Sequence, residues 1–540
     1  MAIRDLREWI AKVDEIGELT RVDGADPLTD IGGIVDLHMQ DAGNPAVLFD
    51  RIVGYQPGHR LVANVLTSNP RVALTLGLSP TLSATELVQA CRETSRRLTD
   101  SPAVMVESGP VLQNQLCGDD IDATRFPAPI WHSGDGGRYI GTGCIVVMRD
   151  PDSGWVNAGT YRVQLHDERT LGIYISQGKH GRLIRDKYWA RGEACPVAVS
   201  VGHDPLLLIY GGLEVAYGQN EYDVVGAIRG EPLEVVRAPH TGLPVPAYAE
   251  IVFEGEIPPN ELRAEGPFGE WAGYYASGQK DEPIIRVQSI LHRDDPIVLG
   301  CVPGKPPNDN TFYRSPLRAA LIWDELEKAG VPGITGVWSH EAGGGRLFNI
   351  VSIRQMYPGH SRQVGLAVAS CHAGAYANRF VVVVDEDIDP ADTNEVLWAL
   401  CTRTEVAEDI DIIKRCWSTG LDPMAYAGVD GRTFFNNRMI VDACRPYDRL
   451  QTFPAVVRTS ESEARRLRER WPELFTADGK VSQRAPPPHS SRAPTNPHPA
   501  RGARRPLPEG EARSLGGAPS PSGRGWGVLP LPLGEGWGEG

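Results

Sequence analysis

The 540-residue chain has nine cysteines and no CxxC pair among them. Scattered, odd-numbered cysteines argue against a disulfide framework or a zinc knuckle and fit a reduced, cytoplasmic protein. No run of 18 apolar residues occurs, and the opening MAIRDLREWIAKVDEIGEL has no apolar stretch of signal-peptide length. Neither a membrane span nor a secretory leader is therefore expected. Basic clusters are scarce too. One of them, Arg501, Arg504 and Arg505, falls where 12 Pro and 11 Gly crowd the 58 residues from Gln483 to Gly540. So breaker-rich a segment cannot bury enough surface to offset its ordering entropy, and disorder is expected over 479–540. From Gly479 onwards there are eight basic and four acidic residues, so the −15 of the whole chain becomes −19 for the remainder. A body that acidic repels phosphate backbones, which argues against nucleic-acid binding.

Several chemical signatures are also missing: GxGxxG after a strand, GxxxxGK[ST], GxSxG and HExxH. Rossmann-type dinucleotide binding, P-loop chemistry, α/β-hydrolase acyl transfer and zincin proteolysis thus have no support.

What is present reads as a mixed α/β chain. Leu6, Trp9, Ile10, Val13 and Ile16 recur at helical spacing, with Gly17 as a C-terminal stop. Strands are expected at Ala46–Phe49 and Leu61–Val65, and a helix over Ser83–Leu98 with Ala84, Leu87, Val88 and Cys91 on one face. From about 140 to 300, apolar β-branched runs bounded by turn residues predict strands at Gly143–Met148, Leu171–Ile175, Val197–Val201, Leu206–Tyr210 and Ile284–Gln288. That density implies a barrel or sandwich. Beyond it, a helix over Pro316–Gly330, a strand at Phe380–Val384 and a helix over Pro390–Thr402, with Asp389 as cap, imply an α/β module.

Isolated polar residues stand inside the β-rich middle. In Glu265-Gly-Pro-Phe-Gly-Glu270, carboxylates five apart would face opposite sides of a straight strand, but the glycines and proline make a turn that can bring both into one pocket. Two carboxyls in different environments can serve as base and acid; two solvated glutamates on a surface turn would look the same. Asn157 and Arg162 likewise differ by an odd number, and Gly159 between them is the easiest place for a bulge. An inward Arg162 could pair with one glutamate, and an outward one on an edge strand is the alternative. Asn157, His180 and Glu221 form a mixed O/N set that suits Mn²⁺ or Mg²⁺ holding a phosphate, although His180 beside glycines also reads as a loop residue.

As a set these residues resemble the UbiD family of reversible (de)carboxylases, which use prenylated flavin mononucleotide. The resemblance is carried by Asp5-Leu-Arg-Glu-Trp-Ile, Ile16-Gly-Glu-Leu, the Asn157 to Arg162 segment, His180, Glu221-Tyr-Asp-Val-Val-Gly-Ala-Ile-Arg-Gly-Glu and, most diagnostic, Glu265-Gly-Pro-Phe-Gly-Glu270. It continues through Tyr357-Pro-Gly-His360 and Asp385-Glu-Asp-Ile-Asp389 into Trp471-Pro-Glu-Leu474.

The resemblance implies an α/β (α+β) fold in which an N-terminal α/β region (1–115) precedes a split β-barrel that binds the flavin (116–305) and an α/β oligomerisation domain (306–478). It implies a catalytic network of Glu265, Arg162 and Glu270, with Glu270 the proton donor. Asn157, His180 and Glu221 would hold Mn²⁺ or Mg²⁺, accompanied by K⁺, on the cofactor phosphate. Gly159, Thr160, Tyr161 and Arg162 would line the flavin, with Lys179 close by and Arg438 where many members place a lysine near the phosphate. The implied reaction is decarboxylation of an aromatic, heteroaromatic or acrylic acid, with the polyprenyl-hydroxybenzoate enzyme of ubiquinone biosynthesis and a non-catalytic flavin-binding subunit as alternatives. A flavin prenyltransferase as cofactor supplier and a homodimer or homohexamer are the implied partners.

Overall fold

The computed structural model describes residues 3–475 except 42–43, 100, 214 and 429–432; the disorder expected over 479–540 lies outside the described residues. The chain divides into two units at Phe453. In the second, Ser460 caps the helix Glu461–Arg470 by accepting from Glu463 N, and no side chain of that helix is buried.

The first unit opens as its apolar stripe dictates. Helix Leu6–Glu15 buries Leu6, Trp9, Ile10 and Val13. Asp5 caps it, accepting from Glu8 N at 2.9 Å, and Trp9 Nε1 donates to Thr75 Oγ1 at 2.8 Å. Ile16, expected on the stripe, is the exposed C-cap, and Gly17 follows at φ +75°. Strands Leu19–Asp23, Ala46–Asp50 and Arg60–Ala63 form a sheet completed by Ile297–Leu299, a strand that returns from the far end of the β-rich region to lie parallel to Arg60–Ala63. The helix expected over Ser83–Leu98 runs Ala84–Arg96, with Ser83 and Glu86 in a reciprocal capping box.

The middle is a ten-stranded sheet whose main path runs Arg138–Gly141, Arg162–Asp167, Thr170–Tyr174, Lys280–His292, Ile251–Ile257, Cys195–Val201, Ile145–Arg149, Val156–Gly159. The last strand of this path is joined to the second by Thr160 and Tyr161 alone. Three peptide steps reach about 11 Å at most, so the two ends of the sheet must come together. It therefore curls into a barrel with one unpaired seam. Phe253 lies in its core, fully buried and edge-on to Phe126 at 5.8 Å. Phe253→Ala is expected to cost about 3–5 kcal/mol, which a lowered midpoint in urea unfolding would register.

Two expectations are corrected here. Leu206–Tyr210 is not a strand but part of helix Pro205–Gly212. A short, wholly apolar run carries no periodicity that separates buried strand from buried helix, and the start signals decide: Asp204 Oδ1 accepts Leu206 N at 2.9 Å, and Pro205 occupies the first turn. The helix expected from Pro390 starts at Thr393 and ends at Arg403. Asp392, not Asp389, is its cap, accepting Asn394 N at 2.8 Å and Glu395 N at 3.1 Å, while Asp389 closes the preceding turn onto Ala391 N.

After the barrel, helix Arg314–Lys328 and a six-stranded sheet form an α/β layer, with Ile334–Ser339, Phe348–Ile353, Phe380–Asp385, Phe434–Ala443 and Ile410–Trp417 in that order. The pairings among Phe348–Ile353, Phe380–Asp385 and Phe434–Ala443 are parallel. All nine cysteines are free. Among the described residues no helix is long and apolar enough to cross a membrane.

Candidate active site

The seam is where the singled-out residues meet. Because Val156–Gly159 and Arg162–Asp167 are different strands, the odd spacing of Asn157 and Arg162 no longer sends them to opposite faces of one element.

Arg162, at the start of its strand, reaches both carboxylates of the predicted turn. Its Nε and one terminal nitrogen hold Glu265 Oε1 and Oε2 at 2.8 Å each, and the other terminal nitrogen meets Glu270 Oε1 at 3.1 Å. The bidentate pair is the strong, geometrically fixed kind. Glu265 is the last residue of strand Leu262–Glu265; Gly266 follows at φ +76°, a conformation that favours glycine, with a cis peptide to Pro267. Tight packing sets the turn in place: a Cβ on Gly136 would lie 1.8 Å from Gly266 O, and Gly136 N donates to Pro267 O at 2.8 Å. Phe268 fills the turn, with the Arg162 guanidinium over its ring at 5.5 Å and over Tyr174 at 4.4 Å. Burial pushes the Glu270 carboxyl above the ordinary range, with Arg162 opposing the shift only in part. The two carboxyls thus differ in kind: one is gripped by charge, the other is desolvated beside a single contact.

The second constellation lies on the other side of Thr160 and Tyr161. Glu221, the first residue of helix Glu221–Arg229, accepts Asn157 Nδ2 at 2.6 Å and Ala158 N at 2.9 Å. Among the described residues no lysine or arginine pairs with it, and burial raises its pKa. Tyr161 OH donates to Asn157 Oδ1 at 3.1 Å and accepts from Gly181 N at 3.0 Å, tying in helix His180–Ala190. His180 therefore opens a helix and is not a loop residue; its ring sits against Trp155 and Tyr217 at 5.2 and 5.5 Å. Burial first, and Lys179 second, lower its pKa, so the ring is neutral and able to act as a ligand. Lys179 is the exposed N-cap of that helix. Gly159 ends its strand, and Thr160 Oγ1 is buried without a hydrogen-bond partner among the described residues. No three His, Cys, Asp or Glu side chains stand together as a metal-binding group among the described residues; the expected set has only two such side chains, His180 and Glu221, beside the Asn157 amide.

Arg438 is not brought to either constellation. It lies on Phe434–Ala443 in the C-terminal sheet and spends its guanidinium on the carbonyls of Ala369, Ala375 and Trp417, the last at 3.1 Å. The expected cofactor contact gains no support here: both terminal nitrogens are taken up by backbone oxygens, and Nε is buried without a hydrogen-bond partner among the described residues.

Three family models tile the chain: the N-terminal domain of 3-octaprenyl-4-hydroxybenzoate carboxy-lyase over residues 10–91, its Rift-related domain over 103–306 and its C-terminal domain over 311–443. The chain is also 32% identical over 459 residues to a phenolic acid decarboxylase of Streptomyces sp. (strain D7), an alignment spanning 83% of this chain and 93% of that protein. The chain belongs to the UbiD family. A pyrrole-2-carboxylic acid decarboxylase of Pseudomonas aeruginosa is 33% identical, with 75% of this chain and 84% of that one covered. Among solved structures, an evolved dimeric UbiD-class enzyme of Pelotomaculum thermopropionicum in complex with prFMN superposes with a TM-score of 0.72 at 26% identity, covering 84% of this chain and 97% of the other. This UbiD-family chain is accordingly a carboxy-lyase, a non-oxidative decarboxylase of an unsaturated acid.

Sequence reasoning missed the side chains that hold the UbiD site in shape. Tyr139 OH donates to Glu265 Oε1 at 3.0 Å, and its ring packs on Phe268 at 4.1 Å between centroids. Trp271, next to Glu270, is covered by Arg346 at 4.9 Å, and its carbonyl accepts from Asn308 at 3.4 Å. Only the polar tip of Tyr139 on a strand otherwise buried offered a signal, since a buried phenol needs a partner.

Proposed function

We propose that this enzyme decarboxylates an aromatic or heteroaromatic carboxylic acid with prenylated FMN as its cofactor and returns the proton from Glu270. The observation that carries the reading is the unequal sharing of Arg162: Glu265 is held at two oxygens and Glu270 at one, and Glu270 is the carboxyl whose pKa burial raises.

Loss of CO₂ from an sp² carbon leaves a carbanion that no side chain stabilises; the bound prenylated flavin supplies the electron sink. The chain's own residues do the rest. Arg162, fixed by Glu265, presents a cation to the substrate carboxylate in a protein that is otherwise strongly acidic. Desolvation opposes ionisation of Glu270 and so favours its protonated form, and Glu270 delivers that proton to the carbon that carried the carboxylate.

Asn157, His180 and Glu221 would hold a divalent ion, Mn²⁺ or Mg²⁺, against the cofactor phosphate. The residues fit such an ion: Glu221 is a buried carboxylate with no basic partner among the described residues, and His180 is neutral. Gly159, Thr160 and Tyr161 would line the flavin. Thr160 Oγ1, buried and without a partner among the described residues, suits a ligand hydrogen bond. The names of the relatives, phenolic acid and pyrrole-2-carboxylic acid decarboxylases, favour a compact ring substrate over a polyprenylated one.

The test is co-expression with a flavin prenyltransferase followed by a CO₂-release screen of vanillate, 3,4-dihydroxybenzoate, pyrrole-2-carboxylate and cinnamate. Turnover of at least one ring acid, absent without the prenyltransferase, is expected. No turnover by protein that holds the prenylated flavin would instead mark a non-catalytic flavin-binding subunit.

A further inference from the structure

Glu265 receives three hydrogen bonds: Arg162 Nε at 2.8 Å and Tyr139 OH at 3.0 Å on Oε1, and an Arg162 terminal nitrogen at 2.8 Å on Oε2. Glu270 receives one from the same guanidinium, at 3.1 Å. We propose that Tyr139 is a positioning residue: its hydroxyl completes the donor set of Glu265 and thereby leaves the transferable proton to Glu270. This rests on the roles proposed above for Arg162, Glu265 and Glu270.

Tyr139 is built to stay. It is fully buried on strand Arg138–Gly141; its amide donates to Pro129 O at 2.9 Å, and its carbonyl accepts Trp131 Nε1 at 3.2 Å. Phe268 covers the ring from inside the carboxylate turn. A phenol so placed must find an acceptor, and an ionised carboxylate is acceptor only. A proton on Glu265 Oε1 would have to displace one of the two donors that oxygen now meets, and a proton on Oε2 would weaken the carboxylate as acceptor for both the guanidinium and the phenol.

The titratable and charged groups that face Glu265 come from several elements. Arg162 and His166 lie on Arg162–Asp167, Tyr139 on the neighbouring strand, Glu270 in the turn, and Lys280 and Glu282 on the strand that pairs with Leu262–Glu265. Glu270 and Glu282 favour a shared proton on the cluster, while Arg162 and Lys280 disfavour it. Tyr139 is the neutral donor in this set, and it contacts Glu265 rather than Glu270.

The experiment compares pH–rate profiles of wild type and Tyr139→Phe holoenzymes, with 3,4-dihydroxybenzoate and pyrrole-2-carboxylate as probes. Removing a hydrogen bond to the ionised form raises the proton affinity of Glu265. The acidic limb, where Glu265 must be ionised, should therefore move up by about one to two pH units, with plateau kcat lower and KM unchanged. Replacing Tyr139 by 3-fluorotyrosine, a stronger donor, should move the same limb down. A limb that stays in place in both variants overturns the proposal, whether or not kcat falls. If neither probe is turned over, an infrared pH titration of the full chain decides the matter. A protonated-carboxyl band that emerges at higher pH in Tyr139→Phe than in wild type supports the role, and superimposable titrations overturn it. Glu270→Gln in the same buffers tells the two proposals apart. Retained turnover there removes the roles on which the inference rests, whereas an inactive Glu270→Gln with an unmoved Tyr139→Phe limb removes Tyr139 alone.

Discussion

Glu270→Gln is expected to lower kcat by about 10²–10⁴-fold, the range a positioned general acid contributes, while the protein still purifies with its flavin. The amide keeps the shape of the carboxyl and can still accept from Arg162, which contacts Glu270 at 3.1 Å. What it loses is the transferable proton. Glu270 has no contact with the Asn157, Glu221 and Tyr161 cluster among the described residues, so cofactor content should not change. The pH dependence of the wild type gives a second check. Burial raises the Glu270 pKa, so the protonated form persists into the range where an ordinary glutamate is ionised, and activity should fall as pH rises through that raised value. Glu270→Gln should erase the alkaline limb of whatever activity remains. Undiminished CO₂ release would remove Glu270 from the acid role.

Much of this site was legible in residues 157–162, 180, 221 and 265–270, and the reason is physical. The Glu265 to Glu270 turn announces itself because Gly266, Pro267 and Gly269 cannot continue a strand, and a turn with a carboxyl at each end can present both to one cation. Asn157 and Arg162 were harder. Their odd spacing argued against a shared pocket as long as they were placed on one strand. The seam of a closed sheet, where one strand ends and a distant neighbour begins two residues later, has no signature in local periodicity. Leu206–Tyr210 failed for a related reason: an apolar run buried on every side has no period to read, and only Asp204 and Pro205 mark it as a helix.

What the residues could not disclose is long-range satisfaction of buried polar groups. Arg438 reads as a cation free to meet a phosphate until the fold surrounds it with three backbone carbonyls. Tyr139 reads as a core aromatic until a carboxylate more than a hundred residues later meets its hydroxyl. In both cases the partner is set by tertiary packing and not by neighbours in the chain.

Glu221→Ala should yield a folded chain that purifies with little flavin and little divalent metal. Glu221 opens its helix, where Asn220 already caps the backbone by accepting Tyr222 N at 3.0 Å, so the helix itself does not depend on the carboxylate. Its two oxygens instead hold Asn157 Nδ2 and Ala158 N. Truncation strands those donors, at a cost of about 1–3 kcal/mol, which a chain of this size can absorb. The larger loss is chemical. Under the proposed ligand set the alanine removes one of three protein ligands and the only anionic one, and it frees the Asn157 amide from the partner that orients it. Outer-shell changes alone weaken metal binding by about 10–100-fold, and removing a ligand should exceed that. Metal analysis and the flavin absorbance of protein from cells that express a flavin prenyltransferase read both quantities in one preparation. Glu221→Gln refines the test: it keeps an oxygen near Ala158 N and removes the charge, so metal lost in both variants assigns the effect to the anion rather than to packing. Full flavin and metal occupancy in Glu221→Ala would show that the phosphate is held elsewhere and would leave the buried carboxylate as a purely structural acceptor for strand Val156–Gly159.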